Sequence, residues 1–112
     1  MLRFSVRIIA LIEAMAKDRV GNSVRQQLLR SGTSIGANYH EAQRAESRND
    51  FIHKVELSTK EAAETVYWLE LINESPDLRT KEAADLLNES RELLAILCAI
   101  GRSAKKPPSA PN

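Results

Sequence analysis

The chain has 112 residues, 43% of them apolar and only 4% aromatic, with four Gly, four Pro and one Cys. That length allows one domain with a core of its own, too short for a core plus a separate catalytic domain. A core filled by Leu, Ile, Val and Ala suits helices better than a β-sandwich. The formal charge of +1 divides unevenly: residues 1 to 54 carry nine Lys/Arg against five Asp/Glu, and residues 55 to 112 carry seven against ten. A near-neutral total argues against a dedicated nucleic-acid binder, whereas halves of opposite sign suit head-to-tail association of copies.

Residues 3 to 18 place Phe4, Ile8, Leu11, Ile12 and Met15 at helical steps, with Arg3, Arg7, Glu13 and Lys17 largely on the other side. This predicts an amphipathic first helix. Arg19-Val20-Gly21-Asn22-Ser23 breaks the pattern and offers Asn22 and Ser23 as caps, so the first turn is expected there.

A second helix is expected over about 23 to 46, with Val24, Leu28, Ile35, Tyr39 and Ala42 as its apolar side. Gly32 and Gly36 each cost about 1 kcal/mol relative to Ala in a helix interior. Their spacing of four puts both on one stripe, so close approach of a neighbouring helix is the expected reason. A break at Ser31-Gly32-Thr33 is the alternative.

After the polar joint Ser47-Arg48-Asn49-Asp50, a third helix is expected over 50 to 74. Phe51, Val55, Ser58, Ala62, Thr65, Leu69 and Ile72 alternate steps of four and three, a seam for another helix. Leu57, Trp68 and Leu71 widen the apolar face, so this helix should touch at least two others. Pro76 ends it, and Thr80 is the expected cap of a fourth helix over 80 to 103 carrying Leu86, Leu87, Leu93, Leu94, Leu97 and Ile100. Residues 105 to 112, polar and Pro-rich, are expected to be disordered. Short turns make neighbours antiparallel, so the expected fold is all-α, an up-down-up-down four-helix bundle within residues 1 to 104.

The lone Cys98 excludes an internal disulfide and reads as a buried small hydrophobe. No apolar run approaches the length of a membrane span and no signal-peptide cleavage pattern follows one, so a cytoplasmic protein is expected.

Gln27, Ser31, Ser34, Asn38 and Glu41 step by four, three, four and three, which places them along one side of the second helix. Lys60, Glu61 and Glu64 cluster within one turn of the third. If these faces meet, Lys60 can sit between Glu41 and Glu64. The favoured reading is a satisfied polar network that fixes helix register inside the bundle or at a subunit contact. Solvated faces and a ligand or catalytic site are the weaker readings, because no nucleophile, base and orienter set is present. His40 and His53, with Asp50-x-x-His53 as the one carboxylate–histidine pair at that spacing, are too little for a metal centre. No cofactor, metal, membrane or small-molecule substrate is therefore expected, and the chain is not expected to be an enzyme. Arg7, Arg25, Arg30, Arg44, Arg48 and Lys54 are the candidates for nucleic-acid or inter-subunit contacts.

Gln27-Leu28-Leu29-Arg30-Ser31-Gly32-Thr33-Ser34-Ile35-Gly36-Ala37-Asn38 heads a series of linked motifs. It is followed by Glu41-Ala42-Gln43-Arg44-Ala45-Glu46-Ser47, Asp50-Phe51-Ile52-His53-Lys54, Lys60-Glu61-Ala62, Glu64-Thr65 and Tyr67-Trp68-Leu69. Together they resemble the bacterial four-helix-bundle proteins also called 23S rRNA intervening-sequence proteins, over roughly residues 4 to 72. Tyr39 and Ala42 depart mildly from the family pattern, and the polar set does not. The resemblance implies a left-handed bundle and a homopentameric ring, since the family is related to the accessory variability protein of diversity-generating retroelements. That relative serves a reverse transcriptase and its RNA, so RNA, DNA or a reverse transcriptase are the partners it implies; most members have no assigned biochemical role.

Overall fold

The computed structural model describes residues 1–15 and 22–107. Four helices make up the fold, and no strand occurs among the described residues: α1 Leu2–Ala14, α2 Asn22–Ala42, α3 Arg48–Asn73 and α4 Lys81–Lys105. Each of α1 and α3 packs on both α2 and α4, while among the described residues the backbones of α1 and α3, and those of α2 and α4, do not come close to each other. The cross-section is thus a square with α1 and α3 on one diagonal. The molecule is a rod of 61 × 22 × 20 Å.

The core is built from the predicted stripes. Phe4, Ile8, Leu11 and Ile12 of α1 meet Leu28 and Ile35 of α2, Ala62, Leu69 and Ile72 of α3, and Ala83, Leu86, Leu87 and Leu97 of α4. The whole α3 series from Val55 to Ile72 is sealed from solvent, and only Phe51 at its start is half-buried. Seam positions at Ser58, Thr65 and Ser90 bury hydroxyls, and each bonds a main-chain carbonyl: Ser58 that of Ile35 at 2.7 Å, Thr65 that of Glu61 at 2.8 Å, Ser90 that of Leu87 at 2.7 Å. Such bonding offsets the cost of dehydrating them.

Boundaries follow local chemistry where a cap exists. Ser47 Oγ accepts from Asp50 N at 3.0 Å to open α3, and Thr80 Oγ1 accepts from Ala83 N at 3.1 Å to open α4. At the expected second-helix end the chain departs from helix earlier, at Ala42. Bonds from Arg44 N to Glu41 O and from Ala45 N to Ala42 O tighten it into a turn. The first helix ends at Ala14, where Met15 is extended and its carbonyl accepts from Arg25 Nη1 at 2.8 Å. The first turn expected at 19 to 23 lies mostly outside the described residues, as does the tail from 108 onward. Lys105, expected in that tail, is the last residue of α4.

Gly32 and Gly36 lie in an unbroken α2, so the break at Ser31-Gly32-Thr33 does not occur. A Cβ on Gly32 would stand 2.9 Å from Ile8 Cγ2, and one on Gly36 would stand 3.3 Å from Met1 Cβ. Both glycines therefore seat α1 against α2, and Ser5 Oγ donates to the Gly32 carbonyl at 3.4 Å across the same contact.

Candidate functional site

Of the polar set, Ser31, Glu41, Glu61 and Glu64 lie along the contact between α2 and α3, at two depths. At the inner level Ser31 and Thr65 are fully buried with their hydroxyls 3.0 Å apart. Each hydroxyl has one hydrogen; Thr65 can give its own to Glu61 O, and Ser31 then donates to Thr65. At the outer level Arg30 reaches across from α2 to bond Glu61 at 2.9 Å and Glu64. It also lies 3.5 Å from Gln27 Oε1. The bond to Glu64 above all, with Glu61 contributing less, holds the Arg30 guanidinium above its ordinary value against the opposing effect of burial. Ser34 turns back to the Arg30 carbonyl at 2.5 Å, and Asn38 is half-buried.

Two sequence expectations change here. Lys60 does not sit between Glu41 and Glu64: it is exposed, Glu41 pairs with Lys54 at 3.1 Å, and Glu64 pairs with Arg30. The reason is angular. Lys60 and Glu64 are one turn apart, but the side of α3 that meets α2 runs through Ser58, Glu61 and Thr65, and Lys60 lies outside it. Ser58, Thr65, Arg30 and Lys54, which the sequence reading left out of the network, join Ser31, Glu41, Glu61 and Glu64 in the cross-helix bonding. For Ser58 and Thr65 the signal was a hydroxyl at two positions of an otherwise apolar seam.

All six candidate basic residues are engaged within the chain. Arg7 ties α1 to Glu82 and Glu89 of α4, Arg30 and Lys54 bind acids of the opposite helix, and Arg25 bonds the Met15 carbonyl. Arg44 lies 2.9 Å from a His40 ring nitrogen, and Arg48 donates to the carbonyls of Ala104, at 2.6 Å, and Lys106. Arg48 thereby holds the end of α4 against the α2–α3 turn. Arg25 and Arg48 spend bonds on carbonyls and form no ion pair among the described residues.

The described residues hold no cluster of three His, Cys, Asp or Glu side chains that could bind a metal. Neither His40 nor His53 is hydrogen-bonded to a Ser, Thr or Cys side chain among them. Cys98 is half-buried rather than sealed in the core. A recess of about 520 Å³ lies elsewhere, between α1 and the start of α4, with Ala10, Leu11, Ala14 and Leu78 in its wall and Arg7 and Glu82 at its edge. No helix is long and apolar enough to cross a membrane among the described residues.

Apolar side chains also stand outside the core, in two groups and at Ile96 of α4, which is 51% exposed. Leu2, Val6 and Ile9 of α1 are 80%, 57% and 41% exposed, with Leu29 of α2 at 38%. On α3, Tyr67 is 58% exposed and Leu71 38%. The Tyr67 ring stands edge-on to Trp68, centroids 5.0 Å apart and planes at 76°. Trp68 Nε1 is buried without an acceptor.

These features define an all-α protein whose second and third helices are keyed together by buried hydroxyls under a layer of ion pairs. The chain belongs to the 23S rRNA-intervening sequence protein family, whose profile matches residues 1–99. It is similar to a crystal structure of a protein of unknown function from the S23 ribosomal protein family of Bacteroides thetaiotaomicron VPI-5482. The identity is 40%, the match covers 90% of this chain and 94% of that one, and the TM-score is 0.82. No protein of curated function shows significant similarity to the chain.

Proposed function

We propose that this chain is a non-enzymatic, self-assembling helical bundle that acts in the cytoplasm as an oligomeric scaffold or accessory factor, five copies to a ring. The observation that carries this reading is the exposure of Leu2, Val6, Ile9 and Leu29 on one side and of Tyr67 and Leu71 on another. Single exposed apolar residues are ordinary, but grouped ones at helical spacing signify a surface that another protein covers. The pairing order supports an up-down-up-down bundle as the repeating unit; its left hand, like the ring, rests on the family resemblance. Glu41, Ile35 and Ser31 of α2 face Lys54, Ser58 and Thr65 of α3, and Glu70 and Glu56 of α3 face Arg91 and Lys105 of α4. The ring of five rests on the family resemblance. Native mass spectrometry at micromolar concentration tests the reading: assemblies are expected, and a monomeric mass would remove it.

A second reading, of a nucleic-acid-binding accessory protein for RNA, DNA or a reverse transcriptase, is favoured by one observation. Arg48 draws the end of α4 to the α2–α3 turn, which gathers Arg44, Arg48 and Lys106 at one end of the rod. Titration of structured RNA at several salt concentrations checks it. A binder loses affinity steeply with salt, and absence of saturable binding at low salt excludes it.

A further inference from the structure

We infer that the recess between α1 and the start of α4 is a binding site for a small organic cation, an ammonium group carried on an apolar body. The inference goes beyond the self-assembly proposed above, because the recess lies within one copy of the chain.

The recess opens because α1 sits tightly on α2. Gly32 leaves room for Ile8, and Ser5 Oγ donates to the Gly32 carbonyl, so α1 lies along α2 over more of its length than along α4. On its other side α1 presents Ala10 and Ala14, one turn apart, and their methyl groups are too small to close the gap. Arg7 spans it instead, reaching Glu82 at 3.7 Å and Glu89. The space left, about 520 Å³, falls within the range of about 300–1,000 Å³ usual for sites that hold small molecules.

Its wall is apolar from two directions. Ala10, Leu11, Ala14 and Met15 come from α1, and Leu78 comes from the turn before α4. An apolar body entering between them is covered on both sides, which one exposed alanine on a flat surface could not do. Burial of that body supplies the driving force.

The edge selects the charge. Its lining holds one cation, Arg7, and two carboxylates, Asp77 and Glu82. Arg7 lies nearer to Glu89, which is outside the lining, than to Glu82, so an arriving anion would have to displace an acid already in place. Asp77 and Glu82 are both exposed and keep acceptor positions for an N–H donor. Exposed Arg79 and Lys81 lie outside the lining, and with them counted residues 74 to 92 still carry six acids against three bases. The positive end of α4 does not reverse the preference, since Thr80 Oγ1 caps it and Glu82 stands in its first turn.

Three probes of one chain length separate the apolar and the charged parts. Methyl NMR spectra of the full chain labelled at Ala, Leu and Met are followed at pH 7 as hexylammonium, hexanol or hexanoate is added. Hexylammonium is expected to shift the methyl signals of Ala10, Leu11, Ala14, Met15 and Leu78 saturably. It is expected to bind about fivefold more tightly than hexanol, the gain that exposed ion pairs allow, with hexanoate the weakest. Ala14→Leu, or Ala10→Leu, fills the recess from an exposed position and is expected to abolish the shifts with helicity retained by circular dichroism. Asp77→Asn combined with Glu82→Gln is expected to bring hexylammonium down to the affinity of hexanol. Absence of saturable shifts at these methyls, or shifts that survive both filling variants, would overturn the site. Hexanol or hexanoate binding as tightly as hexylammonium, or an acid-to-amide variant that binds hexylammonium as the wild type does, would overturn the assignment to a cation.

Discussion

At Gly32 the missing side chain matters more than the backbone. The nearest neighbour of an added Cβ is Ile8, a β-branched core residue with no solvent exposure and no flexible end to swing aside. Gly32→Ala gains about 1 kcal/mol in helix propensity and meets an overpacking cost of about 1–3 kcal/mol. A net loss of up to about 2 kcal/mol in denaturant unfolding is expected. Gly36→Ala meets Met1, at the start of the described chain, and is expected to be neutral or stabilising in the same assay. The sequence located both glycines on a helix–helix contact, yet it could not rank them, because the rank depends on which α1 residue lies opposite.

Titration offers a second check at this scale. The Lys105 ammonium, 2.7 Å from Glu56, holds that carboxyl below its ordinary value, chiefly through their hydrogen bond. A depressed folded value means the pair contributes stability above the unfolded carboxyl value and loses it as pH falls through the folded one. Lys105→Gln is expected to return the Glu56 titration, followed by NMR, toward the ordinary carboxylate position. An unchanged titration would show that the clip does not form in solution. Exposure of both groups makes its contribution to folding small.

Among the elements, α3 was the most legible. Its alternating steps of four and three named the buried series from Val55 to Ile72, since period alone fixes which residues share a seam. The site was legible only in part, because spacing fixes a shared side and not its depth. Ser31 is sealed in the core, while Glu41, three residues beyond Asn38 on the same row, is exposed. The cation was misassigned for the same reason: Arg30 and Lys60 are both at contact spacing, and only the rotation of each helix decides which reaches Glu64. The ends of α1 and α2 were overrun because apolar spacing continues through Met15 and no Gly or Pro marks residues 43 to 47. Caps carried their own signal, and Thr80→Ala is expected to cost about 1 kcal/mol in thermal or denaturant unfolding, by freeing the Ala83 N–H. An unchanged midpoint would mean that α4 is held by packing alone.

For the whole molecule, the core and the surface make different demands on the same four helices. Inward stripes meet around one core, whereas Leu2, Val6 and Ile9 on α1 and Tyr67 and Leu71 on α3 lie outside it, on two helices that do not pack side by side. The account holds that copies of the chain cover these faces. Sedimentation equilibrium of the wild type beside Val6→Asp and Tyr67→Asp, with helicity followed by circular dichroism, tests it most directly. A wild-type mass several times 12.5 kDa is expected, falling in each variant with helicity retained. A wild-type mass of 12.5 kDa, or variants that stay assembled, would contradict it.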